Sequence, residues 1–120
     1  MLSYQHEYHC GNHADVLKHS ILALTVRALQ RKDKPLRVID AHAGSGIYDL
    51  GSAEAQRNAE FRTGISRVMA AASPPLELEP YLAAVRALNP DANTLRRYPG
   101  SPQIACHLLR PQDHLELLEL

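Results

Sequence analysis

The feature that most constrains the fold is a short apolar segment, residues 36–40, that runs directly into a glycine-containing loop at 41–46. Its β-branched residues predict a buried strand, and the loop is typical of the turn that follows such a strand. A second segment with strand character covers residues 114–120, and helical patterns lie between the two. Because a strand, a helical crossover and another strand form a parallel pair, this order predicts an α/β fold.

Apolar residues that recur every three or four positions predict four helices. The first extends about 20 residues from Asn12, a good N-cap, with Asp15 in its first turn and Pro35 beyond its end. Its predicted buried face consists of Leu17, Ile21, Leu24 and Ala28, flanked by Val16, Leu22 and Leu29.

The remaining segments follow from the same patterns. Helices are predicted over 53–72 and 77–88, and a fourth begins at Ser101, the expected N-cap, with Pro102 at its first position. Residues 1–11 are predicted to form an extended arm or loop, and 98–102 a loop. Two buried parallel strands do not complete a sheet, so the sequence resembles the front part of something longer.

Composition bounds the class of protein. A chain of 120 residues allows one domain, and 13 basic residues balance 13 acidic ones. It has no apolar run long enough for a membrane span and no signal peptide at its start, so we expect no membrane association. Two cysteines, Cys10 and Cys106, cannot form a disulfide framework, which favours a reduced, cytoplasmic setting.

The loop at 41–46 is the first candidate site. Glycines there let the backbone approach a ligand, and ligands in open α/β sheets lie outside the carboxyl ends of the strands. The loop therefore indicates a nucleotide-like cofactor, with a plain turn as the alternative. Glu119 closes the second predicted strand, where an acid commonly accepts hydrogen bonds from ribose hydroxyls. Glu119 lies much further along the sequence from the loop than the usual ~20 residues, so the helices between them would be an insertion. The alternative interpretation of Glu119 is a solvent-exposed residue at the end of a strand.

The first 19 residues contain an unusual number of histidines. Zinc binds His and Cys at short spacings, but structural zinc sites usually pair two ligand clusters, so a polar arm with hydrogen-bonding imidazoles is the favoured interpretation. Tyr4 and Tyr8 offer flat surfaces near Lys18 that suit unstacked bases, or they pack the arm onto the body. The potential zinc ligands are His6, His9, Cys10, His13 and His19.

Several motifs, in order, resemble a known family. They are Leu2-Ser3-Tyr4, His9, the continuous run from Gly11-Asn12-His13 through Ala14-Asp15-Val16 to Leu17-Lys18-His19, Lys32-Asp33-Lys34-Pro35, His42-Ala43-Gly44, Gly46, Tyr48, Leu50-Gly51-Ser52 and Tyr98-Pro99-Gly100-Ser101-Pro102. The sequence resembles the N-terminal part of the bacterial ribosomal RNA large subunit methyltransferase J family. The resemblance covers this whole chain and rather less than half of a family member.

The resemblance implies a fold and an activity. The fold is a Rossmann-like S-adenosylmethionine-dependent methyltransferase sheet, incomplete here, with a helical subdomain inserted after the first strand. The activity is methylation of the exocyclic N6 of one adenine in 23S ribosomal RNA, by a monomer that needs no metal. The implied division is residues 1–52 and 96–120 for the methyltransferase domain and 53–95 for the insertion.

Site residues follow from the resemblance as well. It implies cofactor contacts from His19, His42, Ser101 and Glu119, and an RNA contact from Tyr4. It also implies that His6 and Lys18 line the active site.

The sequence departs from the family's pattern at the catalytic motif. The family's catalytic motif, Asp-Pro-Pro-Tyr, is absent; the single Pro-Pro pair, Pro74-Pro75, follows Ser73 and precedes Leu76. In adenine-N6 methyltransferases that motif positions the target amino group and stacks on the flipped base. We therefore expect no catalytic residue in this chain and no activity from it alone. The alternative from another class is a small non-catalytic module that binds RNA or zinc through the His-rich arm.

Overall fold

Two strands far apart in the sequence form a parallel pair in the computed structural model, which describes residues 4–119. Strand β1 (Arg37–Asp40) pairs in parallel with β4 (His114–Leu117), and Leu118 continues the ladder by donating its N–H to the carbonyl of Asp40 at 2.8 Å. The predicted α/β class and parallel pairing are therefore confirmed. The second strand ends before the predicted limit, and residue 120 lies outside the described residues.

A second, antiparallel pair was not predicted. Strand β2 (Ile47–Asp49) pairs with β3 (Arg97–Pro99), so the predicted loop at 98–102 was wrong for its first two residues. The N–H of Gly100 donates to the carbonyl of Gly46 at 2.6 Å and extends the pairing. Three-residue strands are too short to produce a detectable alternation of apolar and polar residues.

Helix α1 (His13–Leu29) begins where the sequence predicts, because the Asn12 side chain accepts the N–H of Asp15 at 2.9 Å. Most of its predicted buried face was wrong, and of the predicted residues Val16 and Leu22 pack partly buried against the core. Leu17 is 65% exposed, and Ile21, Leu24, Ala28 and Leu29 are exposed too. The buried residues of α1 are instead Asp15, His19, Ser20, Ala23 and Val26.

The packing of α1 explains why this face, and not the predicted one, is buried. It lies against α4 (Glu79–Leu88) and α5 (Ser101–Leu108), and the small Ala23 and Val26 permit that close approach. The polar residues on the same face have partners inside the protein; the Ser20 hydroxyl, for example, donates to the carbonyl of Val16. Burying them is therefore tolerated, since buried polar groups cost little once they are hydrogen-bonded.

The predicted helix over 53–72 is broken into α2 (Ala53–Asn58), a 3₁₀ turn (Glu60–Thr63) and α3 (Ile65–Ala70). The first break falls at Ala59, whose φ of 48° is left-handed, and the second at Gly64. The apolar residues predicted for this helix nevertheless reach the core. Ala55, Phe61 and Ile65 are buried, and Ala59, Val68 and Met69 pack against the core partly buried.

The N-terminal arm, residues 4–11, contains a 3₁₀ turn (His6–Tyr8) and is fixed at Gly11. The carbonyl of Gly11 accepts the N–H of Ile65 at 2.9 Å. A Cβ on Gly64 would lie 2.1 Å from that carbonyl oxygen, so the two backbones can approach this closely only because residue 64 is glycine. Residues 1–3 of the predicted arm lie outside the described residues.

The last helices match the prediction, apart from one detail. Gly100, not Ser101, is the N-cap of α5, and the Ser101 hydroxyl donates to Asp40 instead. The helices and β3 together enclose one core, while the division into 1–52, 53–95 and 96–120 stays a prediction. No helix within residues 4–119 has the length and apolar character needed to cross a bilayer. The largest fully buried core side chains include Tyr81, Tyr98, Leu50, Ile65, Leu82, Ile104 and Leu108.

Candidate functional site

A cavity of about 720 Å³ lies at the carboxyl ends of β1 and β4. Its volume is in the range of small-molecule sites, and its place at the strand ends is where open α/β sheets bind ligands. The arm, the first turns of α1, the loop at 41–46 and the start of α5 all contribute to its wall. The structure brings all seven predicted site residues together there: Tyr4, His6, Lys18, His19, His42, Ser101 and Glu119.

The glycine loop and the end of the β4 segment are joined directly. Glu119 Oε2 accepts the backbone N–H of Gly44 at 2.6 Å, and the N–H of Ala43 donates to the carbonyl of Leu118 at 3.2 Å. Gly44 has a φ of +68°, and a Cβ there would lie 2.8 Å from the Tyr48 hydroxyl oxygen. A carboxylate has about four acceptor positions, so Glu119 keeps room to accept hydrogen bonds from a ligand.

Asp40 organises two of the predicted cofactor residues, although it was not itself predicted as a site residue. Its Oδ2 accepts the Ser101 hydroxyl at 2.5 Å, and its Oδ1 accepts the backbone N–H of His42 at 3.1 Å. The carboxylate therefore links the end of β1 to the loop and to the first residue of α5. The sequence signal was an acid placed between the apolar β1 segment and a glycine loop; the prediction that this strand is buried was wrong, since Ile39 is 53% exposed.

His19 is held as a neutral imidazole. Its Nδ1 lies 2.6 Å from the Tyr98 hydroxyl, which lies 2.9 Å from the Tyr81 hydroxyl. Burial lowers the pKa of His19 to about 4 and raises the pKa values of both tyrosines. At neutral pH the buried network therefore has no net charge, and His19 presents a neutral ring to the cavity wall.

Asp15 connects the arm to α1 from a buried position, with 1% of its surface exposed. Its Oδ2 lies 2.6 Å from His6 Nε2 and 2.9 Å from the Gly11 nitrogen, while its Oδ1 lies 3.4 Å from Lys18 Nζ. Burial alone would raise the pKa of Asp15, but the hydrogen bond from His6 and the nearby imidazoles outweigh burial and lower it. Sequence analysis placed Asp15 only in the first turn of a helix.

The arm carries Tyr4 to the mouth of the cavity, where the side chain is 72% exposed. Its hydroxyl lies 2.6 Å from His6 Nδ1, and its ring stacks on His9 with centroids 5.4 Å apart and planes 5° from parallel. His9 is held in turn by Glu60, at 2.6 Å between Nδ1 and Oε2. The arm is thus hydrogen-bonded to α1 through His6 and to the 53–72 segment through His9.

The histidines of the arm engage different carboxylates and do not converge on one point. Within residues 4–119, no group of three or more His, Cys, Asp or Glu side chains is placed to share a metal ion. Burial raises the pKa of the Cys10 thiol to about 12, so this cysteine is a protonated core residue. Cys106 is a free, exposed cysteine.

A glycine loop that follows a parallel strand, with an acid from the end of the neighbouring strand bound to it, lies where open α/β sheets bind ligands. Comparison with known proteins identifies the family to which the chain belongs. Residues 33–120 match the family model described as "Ribosomal RNA large subunit methyltransferase D, RlmJ". The chain belongs to this ribosomal RNA methyltransferase family, which confirms the resemblance drawn from the sequence motifs.

Two curated relatives carry the name Ribosomal RNA large subunit methyltransferase J. The protein from Escherichia coli (strain K12) is 51% identical over 120 residues, which are 100% of this chain and 42% of the relative. The protein from Haemophilus influenzae is 43% identical over all 120 residues, or 43% of its own length. The chain therefore spans about two fifths of the curated relatives it matches.

A solved structure is similar in fold. The crystal structure of a Legionella pneumophila protein, assigned to the family model DUF519, superposes with a TM-score of 0.84 at 40% identity. The match covers 92% of this chain and 40% of that one. The α/β arrangement described above is therefore shared with an experimentally determined relative.

Proposed function

We propose that this chain forms the cofactor-binding part of an S-adenosylmethionine-dependent methyltransferase whose target is the N6 of an adenine in 23S ribosomal RNA. The observation that carries the proposal is the hydrogen bond between Glu119 and the glycine loop at the carboxyl ends of two parallel strands, with His19, His42 and Ser101 around the same cavity. The names of the curated relatives support the reaction class. In the proposed fold, β1 and β4 are neighbours in a Rossmann-like sheet.

The residues around the cavity fit this cofactor. Its ribose has two hydroxyl donors, which suit the free acceptor positions of Glu119. Bound there, S-adenosylmethionine would supply an electrophilic methyl group on a sulfonium. The neutral His19 adds no positive charge that would repel a cationic cofactor, since burial lowers its pKa to about 4.

The substrate side of the proposal lies at the arm. An exposed tyrosine ring and a lysine suit a base that has left a nucleic-acid stack, because aromatic faces and cations hold such bases. Tyr4 offers that ring at the mouth of the cavity, and His6 and Lys18 line the wall next to it. We propose that the target adenine enters from this side.

We also propose that the 120-residue chain is inactive by itself. It has no Asp-Pro-Pro-Tyr motif, so nothing with that sequence positions the lone pair of the amino nitrogen. In an assay with labelled S-adenosylmethionine and unmodified 23S ribosomal RNA, we expect no methyl transfer above background. Clear turnover by the purified chain would refute this part of the proposal.

Cofactor binding is tested by calorimetry with S-adenosylhomocysteine. We expect measurable binding to the wild-type chain, weakened about tenfold or more by Glu119→Gln, because one carboxylate hydrogen bond to a ligand hydroxyl is lost. Glu77→Gln, the same change at an exposed position outside the cavity, is the matched control and should bind like the wild type. Absence of binding to the folded wild-type chain, or equal affinity in Glu119→Gln, would contradict the proposal.

A further inference from the structure

Asp15 bonds two cavity residues through separate oxygens of one buried carboxylate. His6, from the arm, lies 2.6 Å from Oδ2, and Lys18, one turn further along α1, lies 3.4 Å from Oδ1. The backbone N–H of Gly11 also donates to Oδ2 at 2.9 Å, which fixes the orientation of the carboxylate. A shift of Asp15 would therefore move both cavity residues.

The donors and acceptors in this chain of contacts follow from the ionised carboxylate. A carboxylate only accepts hydrogen bonds, so His6 Nε2 must carry a proton. In the ring with this one proton Nδ1 is a lone pair, and across the 2.6 Å contact with Tyr4 the phenol then donates. The remaining lone pairs of the Tyr4 oxygen are acceptors, because its single hydrogen is already directed at His6.

We propose that Asp15 is a positioning residue that, acting through His6, presents the Tyr4 hydroxyl oxygen to the substrate base as a hydrogen-bond acceptor and holds the Lys18 ammonium at the same cavity as a donor. An acceptor and a donor that line one cavity suit the edge of a base with an amino group beside a ring nitrogen, as in adenine. The substrate in this inference rests on the proposed function, whereas the hydrogen-bond order from Asp15 to Tyr4 does not.

The hydrogen-bond order is tested by nitrogen-15 NMR of the histidine side chains in the 120-residue chain. We expect neutral His6 to be the Nε2–H tautomer in the wild type and a mixture of tautomers in Asp15→Ala. Asp113→Ala is the matched control, because Asp113 is also a buried carboxylate but lies before the start of β4, at the opposite end from the cavity. An Nδ1–H tautomer in the wild type, or a His6 ring that carries protons on both nitrogens, would overturn the proposal, whatever the variants do.

The substrate contact is tested by fluorescence anisotropy with two short RNAs. One contains a single unpaired adenosine, and the other has purine riboside, which lacks the amino group, at that position. We expect the wild-type chain to prefer adenosine by about tenfold, the value of one well-made hydrogen bond, and Tyr4→Phe and Asp15→Ala each to abolish the preference. Tyr4→Phe removes only an exposed hydroxyl, so it leaves the fold intact.

The outcomes separate this inference from the proposed function. A wild type without a preference, or a preference that either variant retains, overturns the inference even if S-adenosylhomocysteine binds. The predicted tautomer together with a preference lost in both variants supports it even if the calorimetry shows no cofactor binding. In that case the proposed cofactor site, not the role of Asp15, is wrong.

Discussion

The carboxylate of Glu119 accepts the backbone N–H of Gly44 at 2.6 Å, which joins two residues 75 positions apart in the sequence. The parallel pairing of β1 with β4 makes this contact possible, because both strands end at the same edge. The contact fixes the acid and the glycine loop relative to one another. The proposed ribose site therefore depends on the backbone of Gly44 as well as on the side chain of Glu119.

Gly44→Ala should weaken cofactor binding. An added Cβ would meet the Tyr48 hydroxyl at 2.8 Å, in a left-handed backbone conformation that alanine disfavours, so the loop and Tyr48 must shift relative to one another and the contact of the Gly44 N–H with Glu119 is strained. We expect at least about tenfold weaker binding of S-adenosylhomocysteine by calorimetry. Gly46→Ala is the matched control, because its φ is also positive but a Cβ there has nothing within 4 Å. Equal losses of binding affinity in the two variants would show that backbone strain in the loop, and not the contact at Tyr48, causes the weaker binding.

Stability should fall between pH 7.5 and pH 5.0 because of His19. Its folded-state pKa of about 4 is below the ordinary 6.5, so the unfolded chain binds the proton more readily and the neutral, folded form is favoured only at higher pH. The pKa difference implies a loss of about 2 kcal/mol in the free energy of unfolding over this interval. The lowered pKa of Asp15 acts in the same direction only at more acidic pH, below its ordinary value of 3.8.

Urea unfolding at the two pH values checks this prediction. His19→Gln removes the titrating group and should reduce the pH-dependent loss to that of the other groups. His13→Gln, at an exposed position on the same helix, should keep the wild-type dependence. A His19→Gln variant with an undiminished loss would show that His19 is not the group responsible.

Gly64→Ala should be strongly destabilising. Its Cβ would lie 2.1 Å from the carbonyl oxygen of Gly11, and backbone atoms cannot give way as a side-chain end can. We expect a loss of about 3 kcal/mol in the free energy of unfolding, the upper end of overpacking effects. Gly51→Ala, where the nearest atom is the Asp49 carboxylate at 3.2 Å, should cost less than about 1 kcal/mol. Equal costs at positions 51 and 64 would contradict the close approach at Gly11.

The orientation of α1 can be tested with two leucine substitutions, one on its exposed face and one in the core. Leu17→Ala changes an exposed side chain and should alter the free energy of unfolding by no more than about 0.5 kcal/mol. Leu108→Ala changes a core side chain on α5 and should cost about 2–5 kcal/mol. Chemical denaturation of both variants checks the assignment, and a larger cost at Leu17 would restore the face predicted from periodicity.

Much of the fold could be predicted because long elements carry strong local signals. The Asn12 cap, the apolar β1 segment and the periodicity of α4 all depend on residues close in sequence. The orientation of α1 could not be predicted in this way. Periodicity favours the face with the larger apolar residues, whereas this helix buries Ser20 and His19 because both find hydrogen-bond partners inside the protein.

Membership of the candidate site was predicted more completely than its internal organisation. All seven predicted residues line one cavity, and the motifs that carry the family resemblance include five of them, all but His6 and Glu119. The roles of Asp40 and Asp15 required the structure. Each carboxylate acts through partners from another element, and no local pattern reveals that Ser101 bonds Asp40 across 61 residues.

The most direct test of the cofactor site is a nitrogen-15 NMR titration of the chain with S-adenosylhomocysteine. We predict that the largest amide shifts occur at Gly44, Ser45 and Ser101, around the contact with Glu119, while amides of the exposed face of α1 stay unchanged. Saturable shifts confined to residues outside the cavity, or no shifts at millimolar ligand in the folded chain, would contradict the account.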